Sequence, residues 1–251
     1  MRRAAFVLFG VLSSLAQAAP EEIQVYMDEM DAPGEFGLDV HNNTVLSGSG
    51  AAGYPGGVPP VHVFRMTPEF SYGLSENFEL GAYFLSSYGA VQGPSYGGTK
   101  LRLKYIASRA SGAADFMGAN LEVGKVGPGV DQNPWNAELK GIYGFREGPW
   151  TVAFNANLAW TLKGPAPAPP ALEIDTKVSH AAGERLKLGF ESYNGIGPVR
   201  RPGRLGGESQ VLYAVADAAI SGWDLNFGIG RGLSPVSDQW VLKAIVGVPF
   251  E

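Results

Sequence analysis

The stretch WTVAFNANLAWTL, Trp150 to Leu162, alternates strictly. Trp150, Val152, Phe154, Ala156, Leu158, Trp160 and Leu162 share one face of an extended chain. Thr151, Ala153, Asn155, Asn157, Ala159 and Thr161 share the other. A period of two belongs to a strand with unlike faces. A soluble barrel turns its large residues inward, whereas a membrane barrel turns them outward to lipid. The alternation is the same in both, so the choice rests on the rest of the chain.

The chain opens with MRRAAFVLFGVLSSLAQAA. Arg2 and Arg3 precede a short apolar run, Ala4 to Leu15, and Ala16-Gln17-Ala18 has the small-x-small pattern of a cleavage site. This is the pattern of a secretory signal peptide over residues 1–18, with an apolar run too short to span a bilayer as a helix. There is no Cys, which excludes disulfides, thiolate-bound metal and thiol catalysis. The 35 Gly and 18 Pro suit many turns, and charged residues are 17% of the chain, below the usual quarter. The net charge is −5 and no basic patch appears, so nucleic acid is not an expected partner.

Twelve segments read as strands: 35–45, 61–72, 78–87, 99–107, 115–125, 135–145, 150–162, 171–180, 185–194, 210–220, 223–231 and 239–250. The connections alternate. Long ones fall at 46–60, 88–98, 126–134, 163–170, 195–209 and 232–238; short ones fall at 73–77, 108–114, 146–149, 181–184 and 221–222. An even strand number with short turns on one side and long loops on the other is the order of a bacterial outer-membrane barrel. The predicted fold is therefore all-β, a closed antiparallel transmembrane barrel over 35–251. Residues 19–34 are expected to form an acidic periplasmic segment before it, either tucked against the lower mouth by attraction to Lys100, Arg102 and Lys104, where it limits passage, or hanging as a disordered tail.

Aromatic spacing points the same way. Trp150 and Trp160 are ten residues apart on one face, as are Trp135 and Phe145, and Trp240 and Phe250. Ten residues rise roughly 33 Å along a strand. Tilted by about 40°, that spans roughly 25 Å, the distance between the aromatic girdles of a membrane barrel. With Trp223, these residues form the expected lipid-interface girdle.

The opposite faces carry the charge. Arg65, Glu79, Lys100, Arg102, Lys104, Glu122, Glu138, Lys140, Asn155, Asn157, Glu173, Asp175, Lys177, Lys187, Glu191 and Lys243 are the candidate lumen-lining residues. A Lys or Arg facing lipid near the midplane costs about 2–4 kcal/mol, so these side chains are expected to face a wet interior. Lys100, Arg102 and Lys104 form a basic ladder, and Glu173, Asp175 and Glu191 lie on later strands. Such ladders either set up a field across a pore or pair and close it.

FSYGLSENFELGAYF, Phe70 to Phe84, resembles a turn of the phenol-degradation meta-pathway (MetA-like) family of outer-membrane proteins. Tyr72-Gly73-Leu74, the polar turn Ser75-Glu76-Asn77 and Glu79-Leu80-Gly81 carry the likeness. The resemblance implies an outer-membrane barrel with a transport role and brings no catalytic residue set. The last strand, QWVLKAIVGVPFE, resembles the C-terminal signal read by the barrel-assembly machinery. The lipid bilayer of the outer membrane, that machinery and a small solute are thus the expected partners.

Few residues offer other chemistry. His41, His62 and His180 are the only histidines. A lipid hydrolase would need a Ser–His pair, for which Ser47 and Ser49 are the nearest candidates, without an HxSxG-like arrangement. As metal ligands, His41 and His62 are two without a third. GIGRGLS, Gly228 to Ser234, ends a strand with no helix after it and so does not read as a nucleotide loop. GPAPAPP, Gly164 to Pro170, reads as a stiff extended loop. Asp28, Glu29 and Asp31 lack the spacing of a calcium loop. No catalytic, cofactor or metal set is predicted. The expected function is a passive channel or transport-related barrel for small polar or aromatic molecules. A closed-lumen structural or surface-interaction barrel is the alternative, and a lipid-modifying hydrolase ranks below both.

Overall fold

The computed structural model describes residues 21–110, 112–203 and 206–250; the signal peptide expected over residues 1–18 lies outside the described residues. Twelve strands follow in order: β1 (Phe36–Ser47), β2 (Val63–Ser75), β3 (Phe78–Gly89), β4 (Gly93–Ile106), β5 (Asp115–Val126), β6 (Trp135–Glu147), β7 (Trp150–Lys163), β8 (Ala171–Gly183), β9 (Leu186–Pro198), β10 (Gln210–Ile220), β11 (Trp223–Gly232) and β12 (Trp240–Gly247). Each pairs antiparallel with its neighbours in sequence, and β1 closes on β12. Closure matters because in hydrocarbon every strand N–H and C=O must find a protein partner.

The alternation of Trp150–Leu162 resolves as the membrane reading requires. Asn155 and Asn157 are buried inside, while Trp150 and Phe154 are exposed on the outer wall. β6 and β7 set Leu139 opposite Leu158 and Lys140 opposite Asn157, so the apolar pair lies outside and the polar pair inside. Trp135, Trp160 and Trp240 face outward at the end of the long loops. Phe145, Trp150 and Trp223 face outward at the opposite end. The second rim is reinforced by ring pairs across strands, Phe36 with Tyr72 at 4.6 Å and Trp150 with His180 at 4.6 Å. Amphipathic rings of this kind settle at a membrane–water boundary.

Three expectations need correction. β12 ends at Gly247, so Phe250 stands beyond the ladder and is not part of a strand-borne girdle. Val248 N still donates to Leu38 O at 2.9 Å, but Pro249 has no N–H with which to continue. The expected long connection at 88–98 shrinks to residues 90–92, because β3 and β4 run on past the bulge at Leu85/Ser86. The acidic N-terminal segment does not hang below the barrel. Residues 21–33 run inside it, from Glu21 beside Lys100 to Pro33, which bridges Gly73 at the short-turn rim.

Candidate functional site: the lumen and its N-terminal strap

The strap is held to the wall along its whole length. At its upper end Glu21 pairs with Lys100, and Thr67 Oγ1 donates to the Glu21 carbonyl at 3.2 Å. Ile23 enters an apolar cluster with Val45, Tyr213, Val215 and Val241, while Lys243 Nζ donates to its carbonyl at 3.0 Å. Val25 and Tyr26 pack on Ile106, Phe116, Ile142 and Ala153. These inward-facing apolar side chains give the strap a small core of its own within a mostly polar interior.

Tyr26 is the most heavily engaged residue of the strap. Asn155 Oδ1 accepts from Tyr26 N at 2.6 Å, and Asn155 Nδ2 donates to Tyr26 O at 2.9 Å. Its hydroxyl donates to Glu22 at 2.7 Å and also meets the Tyr83 hydroxyl. Lys140 and Lys104 lie 4.2 and 5.3 Å from its ring centre, a cation–π arrangement.

Lower down, Arg146 grips Asp28 with two hydrogen bonds, at 3.0 and 2.5 Å, and Arg109 adds a contact at 2.7 Å. Burial pushes the Asp28 carboxyl upward, but the Arg146 hydrogen bonds and charge outweigh it and hold the group below its ordinary range. Lys104 Nζ donates to the Glu29 carbonyl. Asp31 N donates to Glu79, and Ser71 donates to the Asp31 carboxylate. Gly73 makes the exit possible: a Cβ there would stand 2.2 Å from the Ala32 carbonyl oxygen.

The other predicted lumen residues mostly pair with their neighbours on the wall. Arg102 lies between Glu69 and Glu79, 2.8 Å from the latter, in space left by Gly81, whose Cβ would stand 2.5 Å from Arg102 Nε. Glu191 lies between Lys243 and Lys177, 3.1 Å from the latter, and Lys177 reaches Asp217 at 2.9 Å. Asn120 donates to Glu122, Lys140 pairs with Glu138 at 3.4 Å, and Asn157 donates to Asp175 at 2.6 Å. Arg65 is buried, 3.5 Å from the Pro60 and Val63 carbonyls. Glu173 is half-buried on the inner face beside Asp175. Lys187 is an exception: it shares the inward face of β9 but lies exposed at the short-turn rim.

The basic ladder therefore does not stand opposite an acidic one. Lys100 is taken by the strap, Arg102 by wall carboxylates and Lys104 by a strap carbonyl. Several residues that complete this arrangement lay outside the sequence-based set: Glu69, His41, Tyr83, Arg146 and the strap itself. Glu69 had a signal, since Arg65, Thr67 and Glu69 alternate on one face of β2. Tyr26 had none, because its partners come from distant strands.

The other candidates resolve differently. His41 is buried in the lumen and its Nε2 lies 2.9 Å from Glu69, not beside a serine. Ser47 donates to Gln239 and Ser49 to the Ala51 carbonyl, so the Ser–His pair is not formed. His62 lies exposed before β2 with φ of 58°, apart from His41.

No family model matches the chain, and comparison with curated proteins finds no match. Solved structures do match. The COG4313 outer membrane channel from Pseudomonas putida F1 aligns with a TM-score of 0.60 at 16% identity, over 91% of this chain and 100% of that one. The KdgM porin aligns at 0.58 and 10% identity, over 86% and 99%. The NanC porin aligns at 0.57 and 9% identity, over 85% and 99%. The chain has the closed twelve-strand fold of these outer-membrane barrels.

Proposed function

We propose that the chain is an outer-membrane passive channel for small polar or aromatic molecules, closed at rest by residues 21–33. The observation that carries this reading is the character of the strap's attachment. Beside the apolar contacts of Ile23, Val25, Tyr26, Met27 and Met30, it is held by ion pairs and hydrogen bonds such as Glu21–Lys100 and Asp28–Arg146. None of these contacts belongs to the strand ladder, and water entering the lumen can take them over, so a strap of this kind leaves without unzipping a strand. A lumen meant to stay shut is better served by side chains of the barrel itself. The turn at Phe70–Phe84, with its MetA-like pattern, and the shape shared with two porins support the same reading. Delivery to the bilayer by the barrel-assembly machinery is part of it.

Planar-bilayer recording tests the proposal. The mature chain is expected to conduct in brief steps, and deletion of residues 21–33 to give larger and longer ones. Silence of both proteins, each shown to be folded, replaces the channel with a closed structural barrel.

A further inference from the structure

Three acid–base side chains from three different elements meet inside the barrel. Glu22 comes from the strap, His41 from β1 and Glu69 from β2, and one ligand atom of each lies within 4.8 Å of the others. His41 and Glu69 are 2% and 3% exposed. We propose that these three residues form a binding site for a divalent transition-metal ion of the Zn²⁺ type, which fastens the strap to the wall; the fastening role rests on the reading of the strap as a stopper.

The donor set and its spacing carry the argument. Imidazole with two carboxylates and no thiolate suits a borderline divalent ion. Bond lengths of about 2.0–2.2 Å place tetrahedral donors roughly 3.4 Å apart. The present separations bracket that distance: His41 Nε2 and Glu69 Oε2 are 2.9 Å apart, and the widest in the group is within 4.8 Å.

The surroundings favour a cation as well. Glu22 has no Lys or Arg salt-bridge partner among the described residues; its hydrogen bond comes from the neutral Tyr26 hydroxyl. Asp39 stands directly across the ladder from Glu69 and adds negative charge. Arg102 occupies Oε1 of Glu69, and Oε2 meets His41 Nε2, so an ion between the two would replace that hydrogen bond. His41 Nδ1 is buried without a hydrogen-bond partner among the described residues, so no second protein group fixes which ring nitrogen carries the proton. The three donors come from a strap and two wall strands, so an ion here joins the movable part to the fixed part.

The test uses the full mature chain, folded in detergent, stripped with a chelator and titrated with Zn²⁺ by calorimetry. One ion per barrel is expected. Glu22→Gln should raise Kd at least tenfold, and His41→Ala should abolish the site; His62→Ala and His180→Ala should leave it unchanged. Glu22 lies outside the strands, so its variant reports on the site even if His41→Ala fails to fold. No stoichiometric binding by the parent chain, or equal binding by Glu22→Gln, overturns the site. In bilayers Zn²⁺ should lengthen the closed intervals of the parent several-fold and leave Glu22→Gln unaffected; conductance indifferent to Zn²⁺ overturns the fastening role. Binding without any conductance in either protein keeps the metal site and removes the channel reading instead.

Discussion

The side chain of Asn155 completes both backbone groups of Tyr26, accepting from its N–H at 2.6 Å and donating to its C=O at 2.9 Å. An amide side chain on β7 thus does for the strap what a neighbouring strand does for the sheet. The strap gains a fixed register without joining the ladder, and the wall keeps its own pairing intact.

Asn155→Ala is expected to leave both Tyr26 groups unpaired in a buried setting. The cost is about 1–3 kcal/mol for each group that water does not reach. Amide exchange at Tyr26 should accelerate by one to two orders of magnitude, with strand amides of β7 unchanged. Equal acceleration throughout β7 would show that Asn155 supports the barrel rather than the strap.

Asp28 gives the strap an acid-sensitive tether. Its carboxyl is held below the ordinary value of 3.8 by Arg146, after burial is overcome. A lowered value means that the tether is fully present above pH 3.8 and weakens as pH falls through the lowered value. Other strap contacts also contain carboxylates, so the informative quantity is a difference. Acidification should loosen the strap of the parent chain more than that of Asp28→Asn, as read by amide exchange at residues 27–30.

Glu191 is 1% exposed between the ammonium groups of Lys177 and Lys243. Glu191→Gln should destabilise the barrel by about 3–5 kcal/mol, because it strands buried positive charge. Glu191→Gln combined with Lys243→Met should cost less than Glu191→Gln alone. Urea unfolding from lipid vesicles measures both, and additive losses would contradict a shared network.

Leu158 faces lipid opposite Leu139. Leu158→Arg should cost about 2–4 kcal/mol if it lies near the midplane. Glu138→Gln, on the inner face of the adjoining strand with a half-buried side chain, should cost less than about 1 kcal/mol. Folding into vesicles under urea ranks the two, and the reverse order would invert the face assignment.

The barrel was legible because a strand buried between two unlike media writes its period directly into sequence. Trp150–Leu162 and Phe78–Phe84 carry that period without interruption. The ends were less legible. Beyond the bilayer no second medium enforces alternation, so the extension of β3 and β4 past Leu85 left no pattern, whereas the stop at Gly247 was marked only by Pro249. The lumen residues were visible as a set but not as pairs, since pairing across a closed sheet depends on shear that no single strand records. The strap was legible as charge drawn to Lys100 and Lys104, but not as a segment that runs up inside the lumen. Its acids match cations drawn from three separate places, Lys100, Arg109 and Arg146, which meet only after the barrel closes.

The strap ends where Gly34 N donates to the Gly73 carbonyl and Gly73 N donates to Glu35 O, so it is moored to β2 at the rim even when the rest is free. In the channel proposed above, a stopper moored a dozen residues from its seat is present there at an effective concentration on the order of millimolar. Reclosure is then a first-order event, indifferent to how many barrels share the membrane and beyond the reach of dilution. A soluble peptide of the same sequence has to match that local concentration before it can keep the seat filled, so a single proteolytic cut near Pro33 should turn a self-closing barrel into one that stays open.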